Sequence, residues 1–275
     1  MVLDIKKYFR EFFDYRIHLY IMFFLLVLVQ SPILYGKVVF IGLSYSSLIV
    51  AIYLYNKTTD FEDSINVKAG DLQNQSYILK PLALFFLLLP LPYLLLIKEG
   101  FIYVYFLIAL NGYLYSTPIL PGHFRFKNFF ITKLISATST IAVPVFYSRL
   151  VFGDISFSSN SLFHFLPIII IVLVGELFWD IRDIKGDKEE EVLTIPVLIG
   201  EKLTAIICSS LLLFILVLTF SKGIYEVRDS IMYIVSLIIT IFITFFASYK
   251  RPWWYFHLYI VIWALELFAT LILGR

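Results

Sequence analysis

The sequence predicts an all-α, polytopic membrane protein that crosses the bilayer about nine times and forms one helical bundle. Of its 275 residues, 60% are hydrophobic and only 15% are charged, and the mean hydropathy is +0.89. This composition excludes an ordinary soluble domain. Apolar segments approaching the roughly 20 residues that span a hydrocarbon core recur along the chain. Because backbone groups in lipid must bond within their own segment, helices are predicted rather than strands.

Nine segments of this kind are predicted, with an error of one. They cover 17–35, 38–55, 81–97, 100–120, 129–148, 162–179, 203–221, 230–249 and 253–273. The fifth segment is interrupted by Lys133, and a polar stretch at 156–161 precedes the sixth. No appended soluble domain is evident, so residues 1–275 are predicted to form a single membrane domain.

The positive charges predict how the chain is oriented. If the nine segments alternate in direction, sixteen of the 22 Lys and Arg residues fall on the side of the N-terminus. The positive-inside rule then places the N-terminus in the cytoplasm and the C-terminus outside the cell membrane. Membrane lipid is therefore the expected surrounding, and neither a nucleic-acid partner nor an obligate protein partner is expected.

An acidic cluster follows the sixth segment, and we call residues 180–187 the second acidic motif. Its carboxylates, Asp180, Asp183 and Asp187, are spaced by three and four residues and share one face of a helix. Such close like charges raise one another's pKa unless a cation compensates them. Oxygen ligands on one helical face suit Mg²⁺. The alternative, a solvated acidic loop, is disfavoured because loops seldom keep helical spacing.

A similar cluster follows the second segment, and we call residues 56–63 the first acidic motif. Asn56, Asp60 and Asp63 again have spacings of four and three residues. Four predicted crossings separate the two motifs, so both are expected on the cytoplasmic side. Facing each other, they would hold two Mg²⁺ ions that bridge a diphosphate and neutralise it as a leaving group.

Together the motifs resemble those of the UbiA superfamily of intramembrane prenyltransferases. The second motif fits the family pattern D-x-x-D-x-x-x-D, including Gly186 before the last Asp, and residues 194–200 resemble the family's continuation. The first motif departs from the usual N-D-x-x-D-x-x-x-D. Lys57 stands in its second position, and the last Asp comes one residue early, at Asp63, where Glu62 is a further candidate ligand.

The resemblance implies Mg²⁺-dependent transfer of a prenyl group from a polyprenyl diphosphate to an aromatic or lipid-like acceptor. The diphosphate would ionise to an allylic carbocation in a central cavity that opens to the cytoplasmic side. The expected ligands of two Mg²⁺ ions are Asn56, Asp60, Glu62, Asp63, Asp180, Asp183 and Asp187, whose five aspartates are also the expected catalytic residues. The expected substrate-binding residues are Asn56, Lys57, Tyr115, Ser116, Arg125, Lys127, Lys133, Glu176 and Lys188.

In the family a Tyr-Ser pair and a following Lys lie near the diphosphate, as Tyr115, Ser116 and Lys127 would here. Lysine and arginine suit phosphate oxygens at a helix end. Ordinary cytoplasmic positive charge explains Arg125 and Lys127 equally well.

Two ionisable residues fall within apolar segments and are functional candidates for that reason. Lys133 either extends back to the membrane interface or points into the cavity. Glu176 precedes Asp180 by four residues, and it would support the metal ligands, act as a general base or pair with Lys133. Arg182 and Lys185 are expected to offset the charge of the second motif.

The acceptor cannot be read from the sequence. The resemblance allows aromatic acids, naphthoquinone precursors, haem, chlorophyllide and glycerol-phosphate lipids. A terpene cyclase of the same family would keep the metal site and lack an acceptor pocket. A cation transporter is less favoured, because the carboxylates cluster at helix ends instead of the bilayer midplane. An inactive scaffold is the remaining alternative, consistent with the shortened first motif.

Overall fold

The computed structural model describes residues 17–29, 36–59, 76–97, 100–122, 124–152, 159–222, 227–250 and 253–273. These residues are almost entirely helical and contain no β-strand apart from an isolated bridge between Leu120 and Phe124. The all-α prediction is therefore confirmed for this part of the chain. Three residues of the first acidic motif, Asp60, Glu62 and Asp63, lie outside the described residues.

Eleven α-helices and one 3₁₀ turn make up the described structure. The helices are α1 (Ile17–Val29), α2 (Gly36–Thr59), α3 (Ser76–Leu88), α4 (Leu91–Leu96), α5 (Phe101–Ser116), α6 (Phe130–Phe152), α7 (Ser159–Glu189), α8 (Ile195–Ile199), α9 (Glu201–Lys222), α10 (Val227–Lys250) and α11 (Trp253–Leu273). The 3₁₀ turn, Phe126–Asn128, lies between α5 and α6.

Four helical stretches are long and apolar enough to cross a membrane: Gly36–Thr59, Tyr77–Leu96, Phe130–Phe152 and Glu201–Leu218. Four shorter apolar helices accompany them. Large apolar side chains lie on the outside of the bundle, where Leu96 is 81% exposed. Such exposure is expected where the surrounding solvent is lipid. The count of nine crossings stays a prediction.

The predicted third segment, 81–97, was expected to be one helix, and the structure divides it into α3 and α4. The break falls at a turn formed by Leu89 and Pro90. Proline has no N–H to donate and its ring clashes with the preceding turn, so it interrupts the helix. The backbone N–H of Leu94 donates to the Pro90 carbonyl at 3.0 Å, which restarts the helix as α4.

Gly100 sets the direction in which α5 begins. Its φ of +77° lies in the left-handed region, which glycine adopts without steric penalty. A Cβ atom at this position would lie 2.6 Å from the Tyr147 hydroxyl oxygen on α6. The glycine therefore permits both the turn and the close approach of α6.

The long helices pack side by side in a closed ring. Around it, α1 contacts α2, α2 contacts α5, and α5, α6, α7, α9, α10 and α11 follow in order until α11 returns to α1. Helix α3 packs against α2 outside this ring. One apolar cluster joins α1, α2 and α5, and a second joins α7, α9 and α11. This arrangement surrounds a cavity bounded by α2, α5, α6 and α7.

Candidate functional site

The last turn of α2 carries the described part of the first acidic motif. The Ser116 hydroxyl donates a hydrogen bond to Asn56 Oδ1 at 2.8 Å, which ties the end of α5 to α2. Lys57 is buried, and its Nζ lies 5.3 Å from the centroid of the Tyr53 ring, within cation–π range. The sequence prediction did not include Tyr53, although it precedes Lys57 by one helical turn.

The second acidic motif lies within α7, and a lysine from α6 joins two of its carboxylates. Lys133 Nζ is 2.8 Å from Asp180 Oδ1 and 3.6 Å from Asp187 Oδ2. All three side chains are buried. Of the two orientations considered for Lys133, the structure has the one that points into the bundle.

The third carboxylate of the second motif is held by its neighbour in sequence. Arg182 binds both carboxylate oxygens of Asp183, with Nε at 2.5 Å from one and Nη2 at 2.6 Å from the other. Its guanidinium carbon also lies 4.2 Å from the centroid of the Trp179 ring. Arg182 thus offsets the charge of the motif as expected, whereas Lys185 is exposed.

Asp187 has the features of a cation ligand. The residue is 1% exposed, and neither carboxylate oxygen accepts a hydrogen bond of normal length from the described residues. Burial raises the pKa of Asp187 to about 6, although the charge of Lys133 acts in the opposite direction. A buried carboxylate whose ion pair with Lys133 is as long as 3.6 Å is incompletely compensated, and a hard divalent cation would satisfy it.

The described residues alone do not complete a metal site. No group of three His, Cys, Asp or Glu side chains converges among them. The carboxylates predicted to complete the site belong to the first acidic motif beyond Thr59, outside the described residues. The donor chemistry of the second motif fits Mg²⁺, because it offers hard oxygen ligands on one helical face.

The segment between α5 and α6 links the ends of the two helices that carry the motifs. Arg125 Nη1 donates to the Thr59 carbonyl at 3.0 Å, at the end of α2, and Nη2 lies 4.0 Å from Glu190 Oε2, just beyond α7. The Asn128 side chain accepts a hydrogen bond from the Arg125 N–H at 2.7 Å. The Asn128 carbonyl accepts one from the Leu193 N–H at 2.9 Å. Asn128 was missed by the sequence prediction.

Lys127 lies in the same segment and is 1% exposed. Burial lowers its pKa well below the usual range, and the nearby charges of Lys133 and Lys57 lower it further. Asp187 and Glu190 act in the opposite direction. Three lysines from three different parts of the chain therefore converge beside the second motif. Such a concentration of positive charge favours an anion.

A partly open cavity of about 140 Å³ lies next to these groups. Its polar lining consists of Tyr53, Asn56, Tyr115, Ser136, Thr140 and Glu176, and its remaining lining is apolar or glycine. Four helices contribute to it, so residues as far apart in sequence as Ile49 and Glu176 meet at one place.

A polar network that the sequence prediction missed stands behind this cavity. The Asn111 side-chain amide donates to the Ser136 carbonyl and to Thr140 Oγ1, each at 2.9 Å. The Ser136 hydroxyl donates to Asn111 Oδ1 at 2.7 Å. The network fixes α5 against α6 and holds Ser136 and Thr140 in the cavity wall. The sequence feature that indicates this network is a single Asn in one apolar segment, followed by Ser and Thr at helical spacing in the next segment.

A second cavity, of about 300 Å³ and mainly apolar, lies between α2, α3 and α5. Ile52 and Gly112 line both cavities and separate them. A Cβ atom at position 112 would lie 2.6 Å from Ile52 Cγ1, so only glycine allows this contact without a shift.

The structure therefore brings together most, but not all, of the predicted site residues that it describes. Lys188 is exposed near the end of α7, and Arg125 contacts a backbone carbonyl and a glutamate. The functional roles of all these residues stay predictions.

Comparisons with known proteins identify the fold. A sequence profile of the UbiA prenyltransferase family matches residues 67–273. A UbiA homolog from Archaeoglobus fulgidus, bound to DMAPP and Mg²⁺, matches with a TM-score of 0.66 and 18% identity, over 94% of this chain and 98% of that chain. The apo structure of a UbiA homolog from Aeropyrum pernix K1 matches with a TM-score of 0.68 and 14% identity, over 94% and 96%.

A structure described for a digeranylgeranylglyceryl phosphate synthase matches less closely, with a TM-score of 0.51 and 18% identity over 93% of this chain and 90% of that chain. No curated protein sequence matches the chain. At these identities the structural matches show a shared fold and leave the reaction open.

Proposed function

The chain belongs to the UbiA prenyltransferase family, and on this basis we propose that it transfers a prenyl group from a polyprenyl diphosphate to an acceptor within the membrane. The observation that carries the proposal is the convergence of Lys57, Lys127 and Lys133 with two buried aspartates of the second motif. Buried positive charge beside buried carboxylates suits a diphosphate and a divalent cation together.

The proposal includes an orientation for the whole chain. Residues 1–275 form one domain with about nine crossings, the N-terminus in the cytoplasm and the C-terminus outside. The distribution of Lys and Arg supports it. The central cavity then opens to the cytoplasmic side, from which a water-soluble diphosphate head group would enter.

Two Mg²⁺ ions are the proposed cofactors, shared between the motifs. Asn56, Asp60, Glu62 and Asp63 would hold them from the first motif, and Asp180, Asp183 and Asp187 from the second. Bound Mg²⁺ supplies positive charge that stabilises the departing pyrophosphate. The buried Asp187 oxygens without hydrogen bonds support this assignment, as does the Archaeoglobus fulgidus homolog, which was solved with DMAPP and Mg²⁺.

The chain's own cations would orient the diphosphate. Lys57, Lys127 and Lys133 place positive charge where the leaving oxygen gains negative charge. Ser116 holds Asn56 in position, while Tyr115 lines the cavity at the end of α5. Arg125 and Lys188 remain proposed contacts of the diphosphate, as the sequence predicts.

The 140 Å³ cavity and the adjacent apolar cavity would then bind the prenyl group. An allylic carbocation needs protection from water, which would convert it to an alcohol. The aromatic faces of Tyr53 and Tyr115 in the cavity wall favour a positive charge. The apolar cavity beyond Ile52 and Gly112 offers room for an isoprenoid tail.

A turnover assay tests the proposal. Purified protein in detergent is incubated with prenyl diphosphates of several chain lengths and an acceptor panel, in Mg²⁺ or EDTA, and pyrophosphate release is measured. We expect Mg²⁺-dependent release that is lost in Asp183→Ala and retained in Lys185→Ala, which changes an exposed residue of the same helix. Hydrocarbon formed without any acceptor would favour the cyclase. Absence of release with every chain length would favour the scaffold or the transporter.

A further inference from the structure

The two cavities meet at one contact between α2 and α5. Among the described residues, Ile52 of α2 and Gly112 of α5 alone line both the 140 Å³ cavity and the 300 Å³ apolar cavity. The Ile52 side chain packs directly on the glycine, because a Cβ atom at position 112 would lie 2.6, 2.7 and 2.9 Å from Ile52 Cγ1, Cδ1 and Cγ2. The Ile52 side chain therefore fills the space between the two helices and separates the cavities.

The cavities differ in their distance from the motifs. Asn56 of the first acidic motif lines the 140 Å³ cavity, one helical turn after Ile52. The second cavity is lined mainly by apolar side chains of α2, α3 and α5 and contains no residue of either motif. A ligand with its charged head at the motifs and an apolar tail would thus meet Ile52 and Gly112 before its tail reached the apolar cavity.

The volumes indicate how much of a prenyl chain each cavity can hold. An apolar cavity of about 150 Å³ in a protein interior binds benzene, which has six carbon atoms. The first cavity, of about 140 Å³, is therefore large enough for about one isoprene unit of five carbons. The two cavities together have about three times this volume and would hold about three units.

From this arrangement we infer that the contact between Ile52 and Gly112 selects the length of the prenyl chain. The inference deepens the proposed function and rests on it. A chain of one isoprene unit ends in the first cavity. A chain of three units passes between α2 and α5, and it reaches the apolar cavity only when the Ile52 side chain turns aside. Ile52 is half-buried and borders both cavities, so there is space into which its side chain can move.

A comparison of two ligands tests the inference without an acceptor. Dimethylallyl and farnesyl thiolodiphosphate carry one and three isoprene units, and the sulfur that replaces the bridging oxygen slows their ionisation. Their affinities are measured by isothermal titration in one detergent with Mg²⁺. The quantity compared is the affinity for the farnesyl ligand divided by the affinity for the dimethylallyl ligand. Because both ligands have the same head group, a change at the metal site cancels in this ratio.

The strongest effect is expected from Ile52→Ala, which joins the two cavities. It should raise the affinity ratio at least about tenfold over that of the wild type. A tenfold change corresponds to about 1.4 kcal/mol, which the burial of about two further methylene groups supplies.

Gly112→Ala should have the opposite effect and lower the affinity ratio by about fivefold, because the added methyl group occupies the gap between α2 and α5. The double variant, Ile52→Ala with Gly112→Ala, should lie between the two single variants, because the new methyl group fills part of the space that Ile52 leaves.

Ile41→Ala is the matched control. Ile41 lies on α2, is buried and lines neither cavity. The same truncation at this position loosens the packing of α2 without joining the cavities. We expect the control to keep the wild-type ratio.

Three results would overturn the inference. The first is an unchanged ratio in Ile52→Ala, which would mean that the tail leaves the first cavity by another route, such as its open side. The second is an equal rise in Ile52→Ala and Ile41→Ala, and the third is a rise in Gly112→Ala. A wild type that binds neither ligand in Mg²⁺ is a different result, because it overturns the proposed function as well.

Discussion

The two acidic motifs have different partners in the described structure. In the described part of the first motif, Ser116 donates a hydrogen bond to Asn56, and Arg125 donates one to the Thr59 carbonyl. Helix α7 continues through the whole second motif and ends at Glu189, with Asp180 and Asp187 in contact with Lys133. Carboxylates inside a bundle need compensating charge, and the second motif receives it from the fold itself. The carboxylates of the second motif are therefore compensated by cations of the chain before a ligand binds.

The largest effect is expected when the positive charge that compensates Asp180 and Asp187 is removed. In the absence of Mg²⁺, Lys133→Met should lower the free energy of unfolding by about 3–5 kcal/mol, because it leaves two buried carboxylates without their cation. Denaturant unfolding in detergent with EDTA measures the change. Added Mg²⁺ should restore part of the loss, since the ion would occupy the same carboxylates.

The control for Lys133 is Lys185→Met, which removes an exposed lysine next to the same motif. We expect no measurable change in its unfolding, with or without Mg²⁺. If both variants unfold alike, the ion pair seen between α6 and α7 does not stabilise the protein, and the contrast between the two motifs loses its energetic basis.

The second prediction tests whether the two motifs act as one site. Asp60→Ala and Asp183→Ala should each lower Mg²⁺-dependent pyrophosphate release by at least about 100-fold, since each removes a group that would hold a cation against the leaving group. Initial rates with geranyl diphosphate measure the effect. Loss in Asp183→Ala alone would show that the second motif works without the first.

The third prediction concerns the link between the two helix ends. Arg125→Gln removes the charged hydrogen bond to the Thr59 carbonyl, worth about 1.5–2 kcal/mol. We expect the Mg²⁺ concentration for half-maximal activity to rise by about tenfold, because the first motif follows Thr59 directly. Glu190→Gln keeps that hydrogen bond and removes a partly exposed charge that lies 4.0 Å from Arg125 and also acts on Lys127, so its effect should be within about twofold. If Glu190→Gln raises the Mg²⁺ concentration for half-maximal activity as much as Arg125→Gln does, the link between the two helix ends depends on Glu190 and not on the hydrogen bond to the Thr59 carbonyl.

The features that the sequence predicts are those encoded within a single segment of the chain. Apolar length identifies the membrane helices, and a period of 3.6 residues places Asp180, Asp183 and Asp187 on one face, because both signals lie within one segment. The break in the third segment was also visible, as Pro90 and Pro92, but hydropathy does not register a proline interruption.

Contacts between distant segments explain what the sequence does not predict. Lys133 and Asp180 are 47 residues apart, and a lysine near the end of a membrane helix looks the same in sequence whether it points to the interface or to a carboxylate. The same holds for Arg125, which the sequence presents as ordinary positive charge and the fold places on the Thr59 carbonyl. The role of Asn111 is evident only in the folded chain, where α6 brings Ser136 and Thr140 within hydrogen-bonding distance of it.

The smallest expected effect concerns Ser116, which holds Asn56 at the described end of the first motif. Ser116→Ala removes one buried hydrogen bond, worth about 1 kcal/mol. If Asn56 contributes to cation binding, the Mg²⁺ concentration for half-maximal activity should rise by about fivefold. Ser47→Ala is the control, because Ser47 donates an equally short hydrogen bond from α2 to the Phe86 carbonyl, away from the motif. A similar shift in both variants would mean that α2 is only being loosened, and that Asn56 has no particular part in the site.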